Sequence, residues 1–181
     1  MNSVKETIII AVGGSLLVPG DVDTSFISRL KEMVVGLINK DYQIILVPGG
    51  GKTARTYQRA LETLGNTESS SLDWVGIKAI HLNCELLKHY FSDIELHVIQ
   101  QPEEITGVHS PLVIKEAYAP GNSSDMGAVR MAEITRAKKI INFSNVSHVY
   151  TADPREDNTA EKLENISWNE YQDLIPGEWT P

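Results

Sequence analysis

Apolar and polar positions group into blocks along the chain, and the blocks predict strands and helices in turn. Thr7–Gly13 ("TIIIAVG") is a short β-branched run closed by glycine, as a strand buried on both faces should be. In "TSFISRLKEMVVGLINK", Phe26, Ile27, Leu30, Met33, Val34, Leu37 and Ile38 fall at i, i+3, i+4, i+7 spacing. That spacing predicts an amphipathic helix, capped by Asp23 or Thr24. "YQIILVPG" predicts a second strand and "KTARTYQRALETLG" a second helix, closed by Gly65. After the polar break "NTESSS" a long helix is predicted over Leu72–Phe91. "IELHVIQ" (Ile94–Gln100) and "PLVIKE" (Pro111–Glu116) predict strands, "DMGAVRMAEITRAK" a helix and "KIINFS" a strand. Near the end, "SWNEYQDLI" carries a capping box of Ser167 with Glu170. This order predicts an α/β fold, a mainly parallel sheet with helices on both faces.

Composition narrows the class. With 181 residues the chain is long enough for one sizeable domain with its own core. A net charge of −8 argues against general nucleic-acid binding, since a phosphate backbone attracts basic surfaces. It leaves room for a small anion held by a few local cations. The single cysteine, Cys84, excludes an intramolecular disulfide and fits a reducing compartment. No apolar run reaches the ~18–20 residues of a membrane span, and "MNSVKET" lacks the apolar core of a signal peptide. The expectation is a cytoplasmic acidic enzyme or binding domain.

The candidate chemistry lies in glycine-rich turns. "ILVPGGGKTAR" invites comparison with a P-loop, but the leading glycine of G-x-x-x-x-G-K-[ST] falls at Leu46, inside the predicted strand. The loop left over is too short to wrap a phosphate chain. Gly13-Gly14-Ser15 nevertheless ends the first strand as Gly49-Gly50-Gly51 ends the second. In open α/β sheets ligands sit at the carboxyl ends of strands, where glycine lets backbone N–H groups approach phosphate oxygens. Lys52 and Arg55 are expected in the first turn of the following helix, where cations oppose the dipole unless an anion shares the site. Each turn alone reads equally as a tight turn needing positive φ; the pair with its cations favours the anion site. Ser123, Ser124 and Asp125 in "APGNSSDMGAV" read as helix caps, and "NVSHVYTADPRED" (Asn145–Asp157) as a loop.

Taken together and in order, "VGGSLLVP", "GGGKTARTY", "DWVGIKAIHLN", "PGNSSDMGAV" and "NVSHVYTADPREDNTAEKL" resemble the amino acid kinase superfamily, and within it the archaeal-type uridine monophosphate kinases. The resemblance runs from about Thr7 to the end of the chain. It implies a three-layer α/β/α sandwich over residues 1–181 and phosphoryl transfer from ATP to UMP with Mg2+. It also implies a homo-oligomer, a dimer or hexamer. By the same resemblance Gly13, Gly14 and Ser15 would face the ATP phosphates. Gly50 and Gly51 would line the transfer site, with Arg55 on the UMP phosphate. Asp73 would hold the acceptor ribose, and Ser123 and Ser124 the acceptor phosphate and base. Asn145, Tyr150, Asp153 and Pro154 would border the adenine and its ribose. Gly14, Ser15, Gly50, Gly51 and Asp125 form the expected catalytic set.

The chain departs from that pattern at four places. Ala11 stands where a lysine is common in the superfamily, Ser147 where an aspartate is, and His81 where the long helix has an arginine. It ends at "LIPGEWTP", where the resemblance implies a further strand–helix unit that completes the nucleotide pocket. Two alternatives therefore stand beside UMP kinase: another kinase of the superfamily acting on a carboxylate or small phosphate, and a catalytically weak nucleotide-binding or storage protein. CMP stands beside UMP as the acceptor. The five histidines show no metal-ligand spacing, and His81 with Cys84 fits core packing. Trp168, Tyr171 and Trp179 read as packing residues, and Leu72–Phe91 is apolar on more than one face, as core or as a subunit contact.

Overall fold

The computed structural model describes residues 6–146, 148–152, 154, 157–167 and 170. The chain divides into two compact units, residues 1–144 and 145–181. In the first, β1 (Glu6–Val12) leads through the short α1 (Gly14–Leu17) to α2 (Thr24–Ile38), then β2 (Tyr42–Pro48), α3 (Gly51–Thr63) and α4 (Ser69–Tyr90). There follow β3 (Leu96–Ile99), a 3-10 turn (Pro102–Ile105), β4 (Leu112–Lys115), α5 (Ser124–Thr135) and β5 (Lys139–Phe143). The strands form one sheet in the order β3-β4-β2-β1-β5, and every pairing is parallel.

Each central strand feeds two cores because its side chains alternate. Ile8, Ile10 and Val12 of β1, Ile44 and Leu46 of β2, and Leu112 and Ile114 of β4 face one way, against Ile27, Leu30 and Val34 of α2 and Cys84 and Leu87 of α4. Ile9, Ala11, Ile45, Val47 and Val113 face the other, against Ala128 and Met131 of α5 and Ile105 of the 3-10 turn. That double burial explains why the strands read as unbroken apolar runs. Each fully buried isoleucine or leucine contributes about 1.5–3 kcal/mol. Leu46 lies within β2, so the P-loop register is excluded by the strand itself.

Local signals behave as their chemistry requires. Asp23 caps α2, its Oδ1 accepting from the Phe26 N–H at 2.8 Å. Gly65 adopts φ +94° just past α3. The polar break before the long helix is shorter than expected. Ser69–Ser71 already belong to α4, because the Glu68 carboxylate accepts from the hydroxyls of Ser70 (3.0 Å) and Ser71 (2.9 Å). Serines that read as loop thus close the first helical turn.

In the second unit β6 (Val149–Tyr150) pairs antiparallel with β7 (Lys162–Leu163), so part of the segment read as a plain loop is a small ribbon. Thr151 N–H donates to the Glu161 carbonyl at 3.0 Å beside it. The Ser167–Glu170 capping box forms, with Ser167 N–H donating to Glu170 Oε2 at 2.9 Å and Glu170 N–H to Ser167 Oγ at 3.3 Å. Ser147, Asp153, Trp168, Tyr171 and Trp179 lie outside the described residues. No described helix is long and apolar enough to cross a membrane.

Candidate active site

Because the strands are parallel, the turns after β1, β2 and β4 all emerge at one edge of the sheet. Register sharpens this: Val12 is level with Pro48 and with Phe143, so β1, β2 and β5 end side by side. The two glycine turns consequently meet. Gly49 N–H donates to the Val12 carbonyl at 2.9 Å, and Gly13 N–H to the Phe143 carbonyl at 2.8 Å. A Cβ on Gly14 would lie 2.7 Å from Gly49 C and from Gly50 N, and closer still to Gly51 N. Gly51 itself holds φ +67°, and a Cβ there would strike the Gly14 carbonyl. Here glycine is required by contact between two backbones as well as by dihedral angle.

That close approach leaves donors unspent. Among the described residues, the backbone N–H groups of Gly14, Ser15, Gly50 and Gly51 meet no protein acceptor. Four unsatisfied amides at the mouths of two turns, one of them opening the thirteen-residue α3, form a cradle suited to phosphate oxygens. Lys52 sits in the first turn of α3, and its own N–H is tied to the Val18 carbonyl at 2.8 Å. Arg55, expected in that first turn, begins the second, because the helix starts at Gly51. Both side chains are exposed.

α4 supports the cradle from behind. Asn83, 4% exposed, donates from Nδ2 to the carbonyls of Gly49 (2.8 Å) and Gly50 (3.3 Å). Sequence reasoning missed this residue. Its signal was a lone asparagine among apolar neighbours in the long helix. Two residues earlier the His81 Nε2 lies 2.7 Å from the Ala117 carbonyl. A carbonyl only accepts, so Nε2 carries the proton and the ring holds the loop after β4. His81 is therefore a strut for that loop. Cys84, in the core, has its thiol pushed up chiefly by burial and then by the Glu116 carboxylate; it is a packing residue.

The loop after β4 completes a cavity of about 230 Å3, walled by Val47, Pro48, Ile80, Lys115–Tyr118, Ser123, Ser124 and Arg130 among others. Asp73, on α4, accepts the Gly121 N–H at 2.7 Å and so pins this loop. Ser123 caps α5, its Oγ accepting from Met126 N–H at 3.1 Å, as a cap reading requires. Ser124 follows at the first helical position. Asp125 is held at Oδ1 by Asn142 Nδ2 (3.3 Å), and Asn142 is level with Ala11 of β1. Thus Gly13, Gly14, Ser15, Gly50 and Gly51 come together, Asp73 joins Ser123 and Ser124 around one loop, and Asp125 is held at the β1–β5 side. Asn145, Tyr150 and Pro154 belong to the second unit, where His148 and Tyr150 pack edge to face at 6.3 Å.

Two further charges were not singled out from sequence. Lys115 and Glu116, at the end of "PLVIKE", are both buried. Glu116 Oε2 accepts from Gln100 Nε2 at 2.9 Å. Lys115 Nζ stands over the Tyr118 ring, 4.7 Å from its centroid, and burial holds its ammonium below the ordinary lysine value.

The pattern of the amino acid kinase family matches residues 6–116 and 104–181. The uridylate kinase of Methanocorpusculum labreanum is 32% identical over 171 residues, covering 93% of this chain and 72% of that protein. The uridylate kinase of Thermococcus onnurineus is also 32% identical, over 92% of this chain and 75% of its own length. The crystal structure of uridylate kinase from Archaeoglobus fulgidus superposes with a TM-score of 0.74 at 29% identity, over 92% of this chain and 76% of that one. UMP kinase from Ureaplasma parvum, 21% identical with a TM-score of 0.73, shares the fold. A parallel sheet between two helical layers, two interlocked glycine turns at its carboxyl edge and these matches lead to one conclusion: the chain belongs to the amino acid kinase family.

Proposed function

We propose that the protein transfers the γ-phosphoryl group of ATP to UMP, giving ADP and UDP, a step of pyrimidine nucleotide synthesis. The cradle of four unsatisfied amides carries this reading. An oxygen of the UMP phosphate attacks the γ-phosphorus, and the bond to the β–γ bridging oxygen breaks. A phosphate monoester is already largely dianionic near pH 7, so the nucleophile needs no general base. Positioning and charge neutralisation carry the rate, which is why no Ser-His-Asp arrangement is needed.

In this reading Gly13, Gly14 and Ser15 hold the donor phosphates. Gly50 and Gly51 face the transferred group, and Arg55 takes the acceptor phosphate. Asp73, Ser123 and Ser124 hold the acceptor nucleoside. The residues present fit a magnesium-bound donor: Asp125 keeps Oδ2 without a bond from the described residues, and the serine hydroxyls add hard oxygens. Bound Mg2+ would draw charge from the phosphates. Residues 1–181 act as one kinase domain, placed in the cytoplasm. Tyr57, Trp74, Leu82 and Leu86 expose an apolar face along α3 and α4, which we assign to a second copy of the chain.

A second reading, nucleotide binding with little turnover, is favoured by Ala11. It is 2% exposed in the core, so no cation enters the site from that position. Thermal stability with Mg-ATP, UMP or CMP added separately tests both, since a ligand at 100 times its Kd adds about 2.7 kcal/mol. A rise with UMP together with UDP formed from Mg-ATP is the expected result. A rise with ATP and no product selects the second reading, and no response to either nucleotide refutes both.

A further inference from the structure

Lys115 is charged, 4% exposed and at the end of the most buried strand. Among the described residues no carboxylate lies within ion-pair reach of its Nζ, and no acceptor takes a hydrogen bond from it. The Tyr118 ring and the fields of Glu103, Glu104 and Glu116 offset only part of the cost of burying this ammonium, whose pKa stays below the ordinary lysine value and which has no hydrogen-bond acceptor among the described residues. Its surroundings show where an acceptor would stand. The side chain lies on the α5 side of the sheet, 3.8 Å from where a Cβ on Gly127 would stand, and forms part of the cavity wall with Ser123 and Ser124.

The same cavity has no glycine-turn residue in its wall. β4 is two strands from β1, roughly 10 Å along the hydrogen-bonding direction. A nucleotide whose phosphate lies at the glycine turns therefore reaches the cavity with its base. Resting on the acceptor reading above, we propose that Lys115 is the specificity-determining residue of the acceptor pocket, donating a charged hydrogen bond to the 4-carbonyl oxygen of an oxo-pyrimidine and so selecting UMP over CMP. The 4-carbonyl is the ring oxygen farthest from the ribose, which suits a donor at the far wall. In cytosine that position carries an amine, also a donor, and an ammonium has no lone pair to accept from it.

Three ligands titrated calorimetrically into wild type and Lys115→Met test this: UMP, CMP and ribose 5-phosphate, with thermal denaturation of both proteins alongside. Methionine keeps the length and removes the charge. The expected result is a roughly 10- to 150-fold loss of UMP affinity, with ribose 5-phosphate binding unchanged and CMP binding unchanged or tighter. The melting temperature of the variant should stay level or rise, since a buried charge whose desolvation outweighs its favourable contacts has been removed. A structural role predicts the opposite, a lower melting temperature with all three ligands weakened together. Unchanged UMP affinity, or equal losses for UMP and CMP, overturns the proposal while leaving the acceptor site standing. Wild type that binds neither UMP nor ribose 5-phosphate refutes the acceptor reading, and the proposal with it.

Discussion

Asn83→Ala is the substitution that most directly probes the support of the second glycine turn. The wild-type amide is buried and spans two carbonyls, those of Gly49 at 2.8 Å and Gly50 at 3.3 Å. Truncation removes both bonds and leaves carbonyl oxygens facing a side-chain-sized gap. Leaving a buried polar group unsatisfied costs about 1–3 kcal/mol, and the longer second bond argues for the middle of that range, about 2 kcal/mol. For a chain of this size each kcal/mol moves the melting temperature by about 2–4 °C, so a fall of about 4–8 °C is expected. Urea denaturation should show the midpoint moving with the slope unchanged. Asn83→Asp separates bonding from volume. It keeps the shape but turns a carboxylate oxygen toward the carbonyls, and should destabilise at least as much as alanine at neutral pH. An Asn83→Ala variant within about 0.5 kcal/mol of wild type, the range of ordinary surface changes, would refute the assignment of Asn83 as the turn's support.

Three other outcomes are expected. Gly14→Ala should destabilise by about 1–3 kcal/mol through overpacking and abolish the stabilisation given by Mg-ATP; retention of that response would mean the turns do not form the phosphate cradle. Burial depresses the Lys115 pKa below its ordinary 10.5, so in the alkaline window below 10.5 the unfolded chain binds more protons than the folded one. Stability relative to Lys115→Met therefore rises with pH across that window, which denaturant midpoints at pH 7 and 10 will show; a constant difference refutes it. Trp74→Asp with Leu82→Asp on α4, 46% and 62% exposed in the wild type, should shift the protein to monomer in analytical ultracentrifugation. A wild type that is already monomeric removes the assigned contact.

Most of the architecture was legible because each element announced itself locally. Ile8–Val12 and Ile44–Val47 are β-branched runs, and Ile27, Leu30 and Val34 mark one helical face. What escaped were features set by partners distant in sequence. Ser69–Ser71 look like a break until Glu68 gathers their hydroxyls. The 3-10 turn at Pro102–Ile105 has no periodicity to betray it, and two-residue strands such as β6 and β7 exist through each other. At the site, the glycine turns could be read as candidates but not as mates, since their interlocking depends on β1–β2 register. Asn83 and Lys115 were passed over for the same reason. A polar residue in an apolar stretch signals only that something unusual happens there; the acceptor that gives Asn83 meaning lies 34 residues away, and the cavity at Lys115 forms only when the loop after β4 folds back beside β2 and α4.

The interlocked turns also limit how this site can change. When a side chain intrudes on a neighbour, proteins commonly recover by shrinking the neighbour at a second position. At Gly14, Gly49 and Gly51 that route is closed, because the atoms in the way are main chain, most of them of the facing glycines; Gly50 differs, since a Cβ there would meet the Ala54 methyl. At those three positions no second-site replacement can make room. On the proposed reading, new acceptor preferences would arise outside the turns, at positions such as Lys115, Ser123 and Ser124, whose side chains wall the cavity.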